Sequence, residues 1–183
     1  MRQGRFIMEN IDIKICKAVR RDTDEIMTVI EEARESIGRL GIDQWQYGYP
    51  NRDVALTDID AGISFIARDM AAGGACAGTF AAFDAGDPAY EKIFDGSWLT
   101  DGTYIALHRF AVAKAYRGKG VSDAIIDFLK GYCAERGIGS IRIDTHHGNY
   151  PMIRMLERTG FTRCGVVYLK TGECRVAYEL PVD

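Results

Sequence analysis

The chain has 183 residues, of which 47% are apolar, enough for one hydrophobic core, and we predict a single domain over residues 1–183. Its 23 Lys and Arg residues against 26 Asp and Glu residues give a net charge of −3, which argues against nucleic acid as a partner. The apolar runs are shorter than the ~20 residues of a membrane-spanning helix, so no membrane partner is expected. Five cysteines without a Cys-x-x-Cys pair, and no signal-peptide pattern, predict reduced thiols and a cytoplasmic location.

The first half of the chain carries two helical patterns among strand patterns. In chain order, the predicted elements are a strand at 11–15, a helix from about 22 to 38, a helix at 52–61, and strands at 63–68 and 75–83. The first helix should begin with a capping box, because Glu25 stands three residues after Asp22 and can reach back to its backbone N–H. The last two strands flank the Gly73-Gly74 turn, so they should form a hairpin.

An aromatic loop separates the two helices. Residues 41–51 break both the helical and the strand period and include Trp45 and Tyr49. Loops held by a rigid scaffold often carry binding residues. We therefore take Trp45 and Tyr49 as candidates for binding a substrate, the alternative being a packed aromatic loop that covers the end of the sheet.

The second half of the chain alternates strands with helices, which indicates a mixed α/β layer structure. In order, it predicts a connection at 86–102, a strand at 104–112, a helix from 121 to about 136, a strand at 140–144, a helix from about 150 to 159, and strands at 161–169 and 173–180. The last two strands flank Thr171-Gly172 and should pair as a hairpin. Edge strands in that hairpin leave a homodimer open as an expectation.

The most informative segment, 110–122, runs from a strand through a glycine turn into a helix. Gly118 and Gly120 allow successive backbone N–H groups to face one concavity, and the helix that follows adds the positive end of its dipole. Arg117 and Lys119 add positive charge, which suits a pyrophosphate better than a carboxylate. Neither the ATP-binding P-loop pattern nor Gly-x-Gly-x-x-Gly is present. The turn predicts an anion site, and a tight connection without a ligand is the alternative.

This turn resembles the pyrophosphate-binding motif of the GCN5-related N-acetyltransferase (GNAT) superfamily. That motif reads Gln/Arg-x-x-Gly-x-Gly/Ala, and Arg117, Gly120 and Ser122 occupy its three marked positions. Ser122 departs from the motif but is still a small residue, so a close approach of the helix to the ligand is expected to survive.

A second family landmark lies downstream. Residues 146–161 are similar to the segment in which an Asn opens a helix that ends in Gly-Phe, here Asn149 and Gly160-Phe161. The two landmarks span roughly 104–161. The resemblance implies a GNAT-like fold: a central, twisted, mostly antiparallel sheet of about seven strands flanked by helices, with a parallel strand pair that splays apart where coenzyme A binds.

The resemblance also implies a function. GNAT enzymes transfer an acetyl group from acetyl-CoA, a cosubstrate, directly to an amine, here a primary amine of a small molecule or peptide. Backbone N–H groups of the strand would bind the pantetheine and polarise the thioester. The implied cofactor-binding residues are Phe110, Ala111, Val112, Arg117, Gly118, Lys119, Gly120, Val121, Ser122, Asn149 and Met152. A non-catalytic protein that binds coenzyme A is the alternative function.

Two side chains are candidates for moving protons. Many family members have a Tyr seven residues after the Asn, which donates a proton to the departing thiolate. Leu156 occupies that position here. Tyr150 is therefore the candidate acid, and Tyr168 is its alternative. A thiolate with a pKa near ~8.5 can also leave without full protonation. His108 is the candidate base, because it lies on the strand that leads into the expected acceptor site and histidine titrates near pH ~6.5.

The orientation of His108 follows from strand alternation. With a strict period of two, His108 shares a face with Phe110 and Val112, while Arg109 points the other way. A structural, hydrogen-bonded histidine is the alternative. Carboxylates are the other candidate bases: Glu35, Asp43 and Asp144.

The adjacent His146 and His147 are the one pattern that suggests a metal. Neighbouring side chains at a strand end should diverge, and neither has a His or Cys partner at helical i, i+4 spacing. We therefore expect no metal site.

Overall fold

The computed structural model describes residues 4–8 and 11–182, with side chains from residue 11 onward. In this part of the chain the strands are β1 Gly4–Met8, β2 Ile11–Lys17, β3 Ser64–Asp69, β4 Ala75–Phe83, β5 Tyr104–Val112, β6 Ser140–Thr145, β7 Thr162–Tyr168 and β8 Cys174–Pro181. The α-helices are α1 Thr23–Gly38, α2 Arg52–Asp60, α3 Val121–Ala134 and α4 Tyr150–Arg158. The seven predicted strands correspond to β2 through β8, and β1 is additional. All four predicted helices are confirmed.

Backbone contacts divide the chain into two compact units. The first contains Met1–Ala82 and His108–Phe128, and the second contains Phe83–Leu107 and Leu129–Asp183. Both β5 and α3 contribute residues to each unit. The single domain stays a prediction. Among the described residues, none of the helices is both long and apolar enough to cross a membrane.

The first unit is an antiparallel ladder covered by α1 and α2. Strands β1, β2, β3 and β4 pair in that order, each antiparallel to the next. Apolar residues of both helices meet the sheet in one buried cluster: Ala18, Ile26, Ile30, Ala55, Ile59 and Ile66. In each helix these positions are four residues apart, so each helix turns one apolar stripe toward the core.

The predicted capping box of α1 is wrong. Asp22 does precede the helix, but its carboxylate accepts from the N–H of Val19 at 2.9 Å. Glu25 does not reach back to Asp22, since its carboxylate accepts from Arg68 Nη2 at 2.8 Å. The same guanidinium nitrogen also donates to Asp22 Oδ1 at 2.8 Å. A charge-assisted contact to a distant strand has replaced the local cap.

The second unit contains the parallel strand pair. Residues Tyr104, Ile105 and Ala106 of β5 pair in parallel with the first three residues of β6. Strand β6 then pairs antiparallel with β8, and β8 pairs antiparallel with β7. A mostly antiparallel mixed sheet with one parallel pair among these described registers confirms the predicted fold class.

Candidate active site

Strand β5 contains an irregular residue at its centre. Arg109 has a left-handed backbone, with φ of +51°. A non-glycine residue in this conformation interrupts the pleat and costs about 1–3 kcal/mol, so the surroundings must hold it. The strict alternation predicted between His108 and Phe110 therefore does not hold, because it would have to pass through Arg109.

A buried carboxylate of α2 contacts the side chain of Arg109. Asp58 Oδ2 lies 2.5 Å from Arg109 Nε, and Arg109 Nη2 donates to Asp58 Oδ1 at 2.9 Å. The side chains of Arg109 and Asp58 are only 11% and 9% exposed. Burial raises the pKa of the Asp58 carboxyl, while Arg109 and, more weakly, His108 oppose that shift. Removing either partner of such a pair leaves a buried charge uncompensated.

The aromatic loop is joined to β5 through the same guanidinium. Arg109 Nη1 donates to the hydroxyl of Tyr49 at 2.7 Å, and the Tyr49 side chain is otherwise exposed. Trp45 lies differently: it packs against a small buried cluster that includes Ala111 of β5. Trp45 thus occupies a packed position and Tyr49 an accessible one, and substrate binding by either stays a prediction.

The turn between β5 and α3 has the conformation that its glycines predict. Gly118 and Gly120 are both left-handed, with φ of +74° and +81°, and α3 begins at the next residue, Val121. A Cβ built on Gly118 would meet no atom of the described residues within 4 Å. The turn is therefore open on the side of Gly118 and passes directly into a helix N-terminus, where backbone N–H groups favour an anion.

Arg117 and Lys114 anchor this turn to α1. Arg117 Nη1 donates to Ser36 Oγ at 2.6 Å, and its Nη2 donates to the carbonyl of Glu32 at 3.2 Å. The N–H of Lys114 donates to Glu32 Oε2 at 2.6 Å. Arg117 was predicted to bind coenzyme A. Its guanidinium instead bonds to α1 here, so a direct contact with the cofactor stays a prediction.

The second unit holds the residues predicted around α4. Asn149 is the N-cap of that helix, and its Oδ1 accepts from the N–H of Met152 at 3.4 Å. Tyr150, the predicted acid, is 60% exposed, whereas Leu156, which stands where many relatives have Tyr, is fully buried. Cofactor contacts by Asn149 and Met152, and the proton-donating role of Tyr150, stay predictions.

The histidine pair differs from its prediction. The rings of His146 and His147 stack with centroids 4.2 Å apart rather than diverging. His146 Nδ1 accepts from the N–H of Gly148 at 3.0 Å, which orients that ring. Over the described residues, no group of three or more His, Cys, Asp or Glu side chains is arranged to hold a metal.

Two of the three alternative bases have structural partners, and a role for Asp43 stays a prediction. Glu35 forms an ion pair with Arg39 on the surface of α1. Asp144 accepts from the hydroxyl of Tyr90 at 2.7 Å in the second unit. His108 lies in the first unit, as Asp58 does, and its role as the base stays a prediction.

Sequence reasoning missed Asp58. A signal was present, because Ala55, Asp58 and Ile59 lie at i, i+3 and i+4 and share the buried face of α2. An acidic residue on an apolar helix face needs a cationic partner in the folded protein. That partner, Arg109, lies 51 residues away in the sequence.

The chain is similar to known acetyltransferases in both sequence and structure. The model of the Acetyltransferase (GNAT) family matches residues 26–161. A GNAT acetyltransferase structure from Streptococcus agalactiae aligns with a TM-score of 0.82 and 34% identity, covering 93% of this chain and 96% of that one. One from Listeria monocytogenes aligns with a TM-score of 0.74 and 20% identity over 97% and 99% of the two chains, which shows the fold.

A curated relative matches over a shorter segment. Streptothricin acetyltransferase of Escherichia coli is 31% identical over 61 residues, which are 33% of this chain and 35% of that protein. The match thus spans about a third of that relative's length. The family model, in contrast, covers well over half of this chain, including the glycine turn and both sequence landmarks. The chain therefore belongs to the GNAT acetyltransferase family.

Proposed function

We propose that this protein uses acetyl-CoA to acetylate a primary amine of a small molecule or peptide by direct attack of the amine on the thioester. The observation that carries the proposal is the course of β5 in the first unit. The strand contains the left-handed Arg109 and then leads through two left-handed glycines into α3. Family membership supports acetyl transfer in general, and the amine acceptor is our addition.

The charge and shape of the turn fit a pyrophosphate. Between 110 and 122 the chain has three cationic side chains, Lys114, Arg117 and Lys119, and no acidic one. Backbone N–H groups at the start of α3 would bind the phosphate oxygens, and Gly118 leaves space for them. Bound there, acetyl-CoA supplies an acetyl group activated as a thioester.

The backbone of β5 would bind the reacting end. A left-handed residue changes the direction of the peptide groups beside it, which frees a strand from a regular ladder. N–H groups from Phe110 to Val112 would then donate to the pantetheine and to the thioester oxygen, where negative charge develops. Asn149 and Met152 are proposed as further contacts for the pantetheine.

Two side chains are proposed to transfer protons during the reaction. His108 would accept the proton of the attacking amine, and Tyr150 would protonate the departing thiolate. Tyr49 and Trp45 are proposed to line the acceptor side. Of these two side chains Tyr49 is the more accessible, and its hydroxyl accepts a hydrogen bond from Arg109 of β5.

A non-catalytic protein that binds coenzyme A is the second candidate. Leu156 favours it, because a fully buried leucine cannot provide the acid that many relatives place there. Catalysis and binding alone differ in one product, the free thiol of coenzyme A.

The test is release of that thiol from acetyl-CoA in the presence of amines. The panel should contain diamines, amino acids, peptide N-termini and streptothricin, the last because of the relative's name. Amine-dependent thiol release, with the acetylated amine identified by mass spectrometry, would support the enzyme. Binding of coenzyme A without release for any amine would favour the second candidate, and absence of binding would contradict both.

A further inference from the structure

We propose that Asp58 and Arg109 form a positioning pair, which holds the left-handed conformation of Arg109 and so sets the direction of the β5 backbone at the acetyl group. Neither side chain needs to touch a substrate in this role. The inference rests on the proposed function, because the positioned backbone is the one that would bind the thioester.

The left-handed conformation of Arg109 is held through its side chain. Left-handed residues are usually Gly, Asn or Asp, whose small side chains tolerate or locally stabilise that conformation. Arginine has neither property. Two guanidinium nitrogens donate hydrogen bonds instead: Nη2 to Asp58 and Nη1 to the hydroxyl of Tyr49. The third, Nε, lies 2.5 Å from Asp58 Oδ2 in the ion pair. The side chain is fixed at its far end, and the backbone conformation follows from that fixed position.

Asp58 can act as an anchor because it lies on the buried face of α2. Its neighbours on the same face of α2, Ala55 and Ile59, are buried in the cluster beneath α1. The helix also begins with a side-chain cap, in which Asn51 Oδ1 accepts from the N–H of Val54 at 3.0 Å. The carboxylate of Asp58 is therefore placed by helix packing.

A second ion pair of α2 offers a contrast. Asp60 pairs with Arg20, but those side chains are 48% and 67% exposed. Exposed pairs contribute little to structure and are screened by solvent. Asp60→Asn is thus a matched control: it neutralises a carboxylate two residues from Asp58, on the same helix, whose partner in the described part of the chain is Arg20.

Two substitutions of Arg109 distinguish a role of its backbone from a role of its side chain. Glycine adopts positive φ without help, so Arg109→Gly removes the side chain and keeps the conformation accessible. Arg109→Ala also removes the side chain, but alanine favours an extended conformation in a strand. If the pair acts through the backbone, glycine should rescue what alanine loses.

The experiment compares five proteins besides the wild type: Arg109→Ala, Arg109→Gly, Asp58→Asn, the double variant Asp58→Asn with Arg109→Gly, and Asp60→Asn. It measures kcat, KM for acetyl-CoA and Tm. We expect Arg109→Ala and Asp58→Asn to lower kcat by about 10- to 100-fold with a smaller change in KM, as misplacement of a reacting group does. The kcat of Arg109→Gly should be about tenfold higher than that of Arg109→Ala. Adding Asp58→Asn to Arg109→Gly should lower kcat little further.

Residue-resolved amide NMR gives a readout independent of turnover. Amide shifts of Phe110 to Val112 should change in Asp58→Asn and return toward wild type in the double variant. These amide shifts also test the positioning pair if Arg109→Ala fails to fold, or if the wild type releases no thiol. In that last case the proposed function fails, while the positioning pair is judged on the amide shifts alone.

Three results would overturn the positioning pair. Arg109→Gly could be as slow as Arg109→Ala, which would assign the effect to the side chain. All variants could keep wild-type kcat with only a lower Tm, which would make the ion pair merely structural. The amide shifts of Phe110 to Val112 could also stay unchanged in Asp58→Asn.

Discussion

Arg117 of the glycine turn donates from Nη1 to the hydroxyl oxygen of Ser36 on α1, at 2.6 Å. Together with the Arg117 contact to the Glu32 carbonyl, this bond holds the turn against the last turns of α1. The sequence predicts that Arg117 contacts a phosphate, but in the structure its side chain connects the turn to α1. The consequence is measurable as affinity for coenzyme A.

Arg117→Ala should weaken binding of coenzyme A by about tenfold, since it removes hydrogen bonds worth about 0.5–1.5 kcal/mol each and one cation beside the phosphates. Ser36→Ala should weaken it by no more than about threefold, because Arg117 keeps its bond to Glu32. Calorimetric titration measures both, with Arg39→Ala, at the C-cap of α1, as a control. Equal affinity in Arg117→Ala and wild type would mean that the turn needs no anchor.

Gly120→Val should abolish the thermal shift caused by coenzyme A. The branched side chain would fill the space of the phosphate oxygens, and at φ of +81° it would also strain the turn by at least about 1–2 kcal/mol. Gly137→Val separates the two effects, because Gly137 has φ of +65° and its Cβ would meet no described atom within 4 Å. Both variants should lose Tm, but only Gly120→Val should lose the shift. A normal shift in Gly120→Val would place the phosphate site elsewhere.

His108→Gln should lower kcat/KM by about 10²- to 10⁴-fold if His108 is the general base. If the wild-type pH profile has an acid limb that reports this base, the limb should move or vanish in the variant, because glutamine does not titrate. Melting curves and affinity for coenzyme A serve as controls for fold and binding. Near-native rates with an unchanged acid limb would eliminate His108 and turn attention to Glu35, Asp43 or a water.

Glu179→Gln should change how stability depends on pH. Burial alone would raise the pKa of Glu179, but hydrogen bonds from Ser140, Thr100 and Arg142 outweigh it and hold the pKa below the usual 4.5. A lowered pKa contributes stability above about pH 4.5, and this contribution is lost as the pH falls through the folded-state value. The wild type should therefore lose more stability than the variant as the pH falls below about 4.5.

At pH 7 the same substitution should cost about 3–5 kcal/mol, because Arg142 keeps a buried charge without its carboxylate. Chemical denaturation at several pH values measures both effects. Glu173→Gln is the control, since Glu173 is 35% exposed and its buried partner Arg175 keeps Asp144 within 4.0 Å. Parallel stability curves for wild type and Glu179→Gln would contradict the account of this network.

Local signals explain what could be predicted from sequence. Helix and strand bounds follow from periodicity, and Asn149 at the start of α4 and the left-handed Gly118 and Gly120 follow from residue type. The sequence carries no local signal for contacts between distant segments. The capping box failed because Arg68 bonds to Glu25, and the irregularity of β5 was missed because nothing local marks an arginine as left-handed.

Amide hydrogen exchange of the wild-type protein, with and without coenzyme A, tests the central claim most directly. Ligand at 100 times Kd stabilises the native state by about 2.7 kcal/mol, which slows exchange through global unfolding everywhere. Beyond this general effect, we expect extra protection at Phe110 to Val112 and at the turn from Arg117 to Asp123, because their N–H groups would bind the pantetheine and phosphates. No change on adding millimolar coenzyme A, or protection confined to segments other than these two, would contradict the account.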